Sequence, residues 1–282
     1  MTDATERFTA LVHEPEHAIA LDEGALLIAA CAHPGLDRER RLGELDALAR
    51  TVRTADAVGV AGALFGEGGF AGNTVDYYDP ANSYLDDVLD RRLGIPITLS
   101  LLMIEVARRV GVDLVGVGMP GHFLVGLPSS RSGTEPSSRS GTGPGEAILD
   151  LWFDPFHGPE PLTIGDCASL FARVHAGSAY SHPLRREQLA AVGPRAILDR
   201  MLANLQQTLL QRSPAAAAWP TRLRLAFPDV PRARRAELAT TLGNLAQFAE
   251  AARVFDELAL ELPPDAAARA ARSAAQLRAR AN

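Results

Sequence analysis

The sequence contains no lysine: its 28 strongly basic side chains are all arginine, set against 34 acidic ones. With a net charge of −6 and no clustered basic excess, it carries no electrostatic footprint for nucleic acid. Together with abundant alanine, the missing lysine points to a GC-rich genome more than to a mechanism. Cysteine is scarce. Cys31 and Cys167 stand far apart and outside any metal-ligand spacing, so they either pair as a disulfide or sit separately in the core. Long apolar runs are absent too. Ala25 to Ala32 and Ile95 to Met103 fall far short of a membrane span, and MTDATERFTA lacks the basic region and apolar run of a signal peptide. His157, His175 and His182 show no metal spacing with carboxylates. These absences lead to the expectation of a cytoplasmic protein with no metal, no cofactor, and neither nucleic acid nor membrane as partner.

What is present is ordinary globular composition, 47% hydrophobic and 22% charged, in 282 residues, enough for one large domain or two modest ones. The first stretch reads as helices. Asp22 and Glu23 precede the apolar run Ala25 to Cys31, and Pro34-Gly35 stops it. Leu42, Leu45, Leu48 and Val52 then recur at helical spacing. Gly66, Gly68, Gly69 and Gly72 predict an open loop ending in Asp79-Pro80. Asn82 or Ser83 can cap a short helix running to Arg91, with Asp86 three residues beyond Ser83. Gly94-Ile95-Pro96 breaks the chain, and Pro96 suits the first turn of a new helix. That helix, Ile97 to Val110, is apolar almost all round and so is expected to be buried on most faces.

Leu114 to Met119, Phe123 to Leu127 and Ala147 to Trp152 read as strands. Between the last two lies a near-duplication, Ser129 to Pro136 followed by Ser137 to Pro144, whose composition suits a flexible hairpin tip. From about Arg185 the chain turns helical. The window Arg232 to Asp265 spans one tetratricopeptide period and places Leu238, Ala251, Phe255 and Pro263 where such a helix pair wants them.

Gly94-Ile95-Pro96 stands at the head of the buried helix, Arg108 and Gly111 close it, His122 opens a strand, and Asp154-Pro155 follows the next. In this the middle of the chain resembles the transglutaminase-like superfamily, where a cysteine stands in Gly-x-Cys at the N-terminus of a buried helix, an arginine and then a glycine close that helix, and successive strands supply histidine and aspartate. Gly94-Ile95-Pro96 fills the first of those slots. The chain is closer still to the bacterial SirB family, through Leu64-Phe65, Asn73, Asp76-Tyr77-Tyr78-Asp79-Pro80, Asn82-Ser83, Gly94 to Ser100, Pro120-Gly121-His122-Phe123 and Asp154-Pro155-Phe156.

The resemblance implies an α+β fold. Residues 1–60 would be N-terminal helices packed on the core. Residues 61–184 would form a transglutaminase-like core of the papain-like cysteine-protease type, with 129–146 as its Ser/Gly-rich hairpin loop. Residues 185–282 would be tetratricopeptide-like helices. It also implies that Pro96 replaces the nucleophile, because proline carries no nucleophilic atom. The slot equivalents are then Pro96, His122 and Asp154, and the expected role is a non-catalytic module binding a peptide or protein through Asn82, Ser83, Thr98, His122 and Asp154.

Each candidate has a plainer reading beside it. His122 is a base or a structural histidine, and Asp154 orients it or caps the turn at Pro155. Thr98 is a substitute nucleophile or a local backbone partner in the first helical turn, with Ser100 a turn later. Cys167 is a second substitute or a buried core thiol. Asn82, Ser83 and Asp79 rim a cleft or build a turn. The alternative function is therefore a hydrolase or acyl transferase using Thr98 or Cys167 with His122 and Asp154.

Overall fold

The computed structural model describes residues 2–129, 149–177 and 182–281. Nearly all of the serine-rich duplication lies outside the described residues. Contacts divide the chain into two units, Glu16–Met201 and a second formed by Met1–Pro15 with Leu202–Asn282. Residues before Glu16 thus group with the C-terminal helices rather than with the other N-terminal ones.

In the unit Glu16–Met201, α2 (Leu21–Ala32) starts at the acidic pair and ends before Pro34-Gly35, as their charge and φ preferences dictate. Next, α3 (Arg38–Ala49) is capped by Asp37, which accepts from the Arg40 N–H at 3.0 Å. A short α4 (Ala57–Ala61), capped by Asp56, runs on into a π-helical turn, Gly62–Glu67. The expected glycine loop therefore begins later than its glycines suggest. Leu64 and Phe65 are buried there, and that burial outweighs the poor helix propensity of Gly62 and Gly66.

The cap before α5 (Leu85–Arg91) also differs from expectation. Asn82 and Ser83 sit in a 3₁₀ turn, Pro80–Ser83, whose own cap is Asp79, and the residue preceding α5 is Tyr84, which offers no side-chain cap. The Asn82 side chain is engaged elsewhere, as described below.

Two minimal strands, β1 (Ala71–Gly72) and β2 (Leu93–Gly94), pair in parallel and bring Gly72 opposite Gly94. Then α6 (Pro96–Arg109) begins with Pro96 at its first position, where the missing N–H costs nothing. One side of α6 meets β3 (Val115–Val117) and β4 (Leu124–Pro128), and the rest meets α2, α3, α4 and α5. That double cover explains its apolar circumference. Leu99, Leu101 and Leu102 are fully buried, each worth roughly 1.5–3 kcal/mol relative to exposure.

Strands β5 (Leu149–Phe153), β6 (Pro161–Leu162) and β7 (Ala191–Val192) complete an antiparallel sheet ordered β6-β5-β4-β3-β7. The short edge strands β6 and β7 fall outside the three strands that the apolar runs predicted. Helix α7 (Ile164–Val174) opens with a capping box between Thr163 and Asp166 and packs Cys167, Leu170 and Phe171 onto Trp152 and Leu149.

The boundary between the units falls inside α8 (Pro194–Arg212). In the second unit, α1 (Thr2–His13) packs on α9 (Ala218–Leu225), and Phe8 meets Phe227 edge to face at 5.6 Å. An antiparallel-type helix pair, α10 (Arg232–Asn244) and α11 (Phe248–Glu261), turns at Ala246, whose φ is 59°, and α12 (Pro264–Ala281) packs along α11. Cys31 and Cys167 are both buried free thiols, so no disulfide joins them. Among the described residues no helix is long and apolar enough to cross a membrane.

Candidate functional site

Strand register brings the two principal candidates together. Val125 pairs with Phe153, so the start of β4 lies beside the end of β5. His122 sits just before β4, in a turn where its N–H donates to the Met119 carbonyl at 3.0 Å. Asp154 follows β5 directly. Gly121 makes the turn feasible: its φ is 74°, and a Cβ there would meet Val174 Cγ1 at 2.6 Å.

His122 Nε2 lies 2.9 Å from Asp154 Oδ1, with both residues buried. The carboxylate also builds its own turn, as Oδ1 accepts from the Phe156 N–H at 3.2 Å and the Asp154 carbonyl accepts from the His157 and Gly158 amides. Asp154 Oδ1 thus faces both the His122 ring and the backbone of its own turn.

The turn adds a residue that spacing alone did not single out. His157 Nδ1 lies 2.6 Å from Asp154 Oδ2, so the carboxylate sits between two imidazoles. An ionised carboxylate only accepts, so both facing ring nitrogens carry protons. Burial pushes the Asp154 carboxyl up, but its bonds to His122 and then His157 outweigh that and hold it below the usual carboxylate range. His122 Nδ1 is left without a hydrogen-bond partner among the described residues.

Phe156 ties this corner to the α6 N-terminus. Its ring lies against Gly72, where a Cβ would come within 2.5 Å, and Gly72 pairs with Gly94, two residues before Pro96. The same ring lies 6.3 Å from His122 and 5.9 Å from Tyr77, centroid to centroid. Tyr77 and Tyr78 stack edge to face and are 40% and 46% exposed, forming an aromatic rim.

The remaining candidates make contacts within the fold. Pro96 is buried at the head of α6. Thr98 is fully buried, its hydroxyl donating to the Asn82 carbonyl at 2.8 Å and accepting from the Ile95 N–H at 3.1 Å. Asn82 is also fully buried. Its amide donates to the Asp76 and Tyr77 carbonyls and its oxygen accepts from Asn73, so it holds the tyrosine-bearing loop rather than lining a cleft. Ser83 is 3% exposed, and Asp79 pairs with Arg91. Ser100 is buried, and its hydroxyl has no hydrogen-bond partner among the described residues. Burial, with the charges of Asp166 and Asp154, pushes the Cys167 thiol up to about 12, the opposite of what an activated thiolate needs.

Comparison with known proteins fits this arrangement. A UPF0162 protein of Xylella fastidiosa (strain 9a5c) is 40% identical over 177 residues, which is 61% of this chain and 56% of that protein. A UPF0162 protein of Pseudomonas aeruginosa is 32% identical over 205 residues, covering 70% of this chain and 66% of that protein. Human F-box only protein 21 is 33% identical over 140 residues, 48% of this chain but 19% of that protein. The chain spans little more than half the length of the Xylella relatives it matches. No solved structure matches it. The family model described as the transglutaminase-like superfamily matches residues 39–203, more than half of the sequence and the whole stretch that carries α6, His122 and Asp154, and the chain belongs to that superfamily.

Proposed function

We propose that this chain is a non-catalytic transglutaminase-like protein that binds a peptide or protein at the corner bearing His122, Asp154 and the Tyr77–Tyr78 rim. The observation that carries the reading is Pro96, a side chain with no nucleophilic atom at the buried head of α6. Neither substitute restores the chemistry. A nucleophilic hydroxyl needs an adjacent base, and the Thr98 hydroxyl is instead bonded to backbone on both sides. Cys167 is buried and its thiol resists ionisation. What remains is a histidine–aspartate pair beside half-exposed tyrosines, and tyrosine supplies rigid contact area at low entropic cost.

The same reading places the core in the papain-like arrangement, the chain in the bacterial SirB family, and the protein in the cytoplasm. It treats α10 and α11 as a tetratricopeptide-like pair offering a second surface. The match to a small part of the much longer F-box only protein 21 supports viewing the core as a module carried in different contexts.

The test has two arms. Purified protein is treated with hydroxyl- and thiol-directed acylating probes and with glutamine-containing peptides, then mapped by peptide mass. The expected outcome is no acylation at Thr98 or Cys167 and no turnover. A peptide array then identifies binders, and Tyr77→Ala with Tyr78→Ala is expected to weaken them by about 2 kcal/mol or more. Amide hydrolysis or acyl transfer that disappears in His122→Ala overturns the reading.

A further inference from the structure

Asp154, like Asp86, is a buried carboxylate that bonds to histidine and, among the described residues, to no arginine, but Asp154 alone of the two bonds to two imidazoles. The sequence holds 28 arginines, and buried Asp22 bonds to two of them, Arg108 and Arg109. Asp154 is 4% exposed, yet among the described residues its only charged or ionisable hydrogen-bond partners are His122 and His157. Arg200 reaches the same corner but donates to the His122 carbonyl, at 3.5 Å, not to the carboxylate. A buried carboxylate flanked by two imidazoles, with no fixed cation bonded to it, is a donor set suited to binding a cation.

We propose that His122, Asp154 and His157 form a binding site for a divalent transition-metal ion of the zinc type. Two imidazole nitrogens and one carboxylate oxygen suit zinc, cobalt, nickel or ferrous iron better than magnesium or calcium, which take all-oxygen cages. One ligand atom from each residue lies within 4.8 Å of the others. Metal–ligand bonds of roughly 2.0–2.2 Å set neighbouring ligand atoms roughly 3–3.5 Å apart. His122 Nε2 now lies 2.9 Å from Oδ1 and His157 Nδ1 2.6 Å from Oδ2, so each ring faces its own oxygen of the carboxylate, and binding an ion between them needs the rings to draw back from it.

The exposed member of the set is His157, whose side chain is 56% exposed, while the side chains of His122 and Asp154 are buried beside the paired strands β4 and β5. To bind, each ring presents the nitrogen now facing Asp154 and carries its proton on the far one, Nδ1 of His122 and Nε2 of His157. Three protein ligands leave at least one coordination position open on the solvent side.

The other such cluster is a natural control. His33 approaches Asp86 through Nδ1 at 2.7 Å and Asp87 through Nε2 at 3.7 Å. One ligand atom from each of these three residues also lies within 4.8 Å of the others, but the cluster offers one imidazole and two carboxylates, a more oxygen-rich set that suits zinc less well.

This proposal does not rest on the peptide-binding role, since metal binding is read with the ion alone. The 282-residue chain, stripped with chelator, is titrated with zinc by calorimetry and with cobalt by visible absorption. The expected result is one ion per chain, with the cobalt bands of a histidine-bearing site. His157→Ala and His157→Gln are each expected to bind at least about tenfold more weakly, and His33→Ala to bind as wild type. His157→Gln retains a polar partner for Asp154, and circular dichroism establishes that the variants are folded. Absence of stoichiometric binding overturns the proposal, as does binding unchanged in both His157 variants or an equal loss in His33→Ala.

Discussion

Thr98 shows what decides between a reactive and a structural hydroxyl. Its position in the first turn of α6 suits a nucleophile facing a cleft, and nothing in its sequence neighbours argues otherwise. The decision comes from Asn82, sixteen positions earlier, whose carbonyl takes the hydroxyl proton. Because the Ile95 N–H and that carbonyl lose a partner when the oxygen is removed, Thr98→Val is expected to cost about 1–3 kcal/mol in urea denaturation. Thr98→Ser should recover most of the loss. His157 is the converse case. Three residues beyond Asp154 is a spacing without meaning in an extended chain, and only the turn at Pro155, drawn tight by the Asp154 carbonyl, aims its ring back at the carboxylate.

At the scale of elements, the sequence was most legible where periodicity was strong. Helices α2, α3 and α6, with Pro96 heading the last, lie where apolar spacing and stop residues put them, because those signals act within a few residues. The two-residue strands β1, β2, β6 and β7 escaped, since pairs so short carry no pattern and exist only through their partners. Yet β1 and β2 matter to the site, because they set Gly72 beneath the Phe156 ring. Gly72→Ala would place a Cβ 2.5–2.6 Å from that ring, so Phe156 must swing away and the Asp154 turn must shift. The expected cost is about 1–3 kcal/mol, read as a lowered Tm, with an altered near-ultraviolet dichroism from the neighbouring tyrosines. A variant indistinguishable from wild type in both signals would show that Phe156 does not couple β1 to the site.

At the scale of the whole molecule, the buried carboxylates pull in opposite directions with pH. Burial raises the Glu105 carboxyl, aided by Asp22, whereas Asp154 is held low by its two imidazoles. A carboxyl whose folded value lies below its unfolded value of about 3.9 contributes stability above that pH and loses it as the pH falls through the folded value. The difference between wild type and Asp154→Asn isolates this from Glu105. It should be largest near about pH 6 and shrink toward about pH 3, followed by chemical denaturation across that range. A difference that grows on acidification would mean that Asp154 is not held low.

The sequence alone determined the secondary elements with strong periodicity, the resemblance to the transglutaminase-like superfamily, and the presence of Pro96, which has no nucleophilic atom, before the apolar run of α6. Those are local or linear properties, written in side-chain chemistry and spacing. The tertiary structure decided the rest: that the Thr98 hydroxyl bonds to backbone and Cys167 is buried, that Asn82 bonds to the tyrosine loop, and that His157 joins Asp154 opposite His122. Each depends on where the partner atoms come to rest, and burial and hydrogen bonding between distant segments set that position.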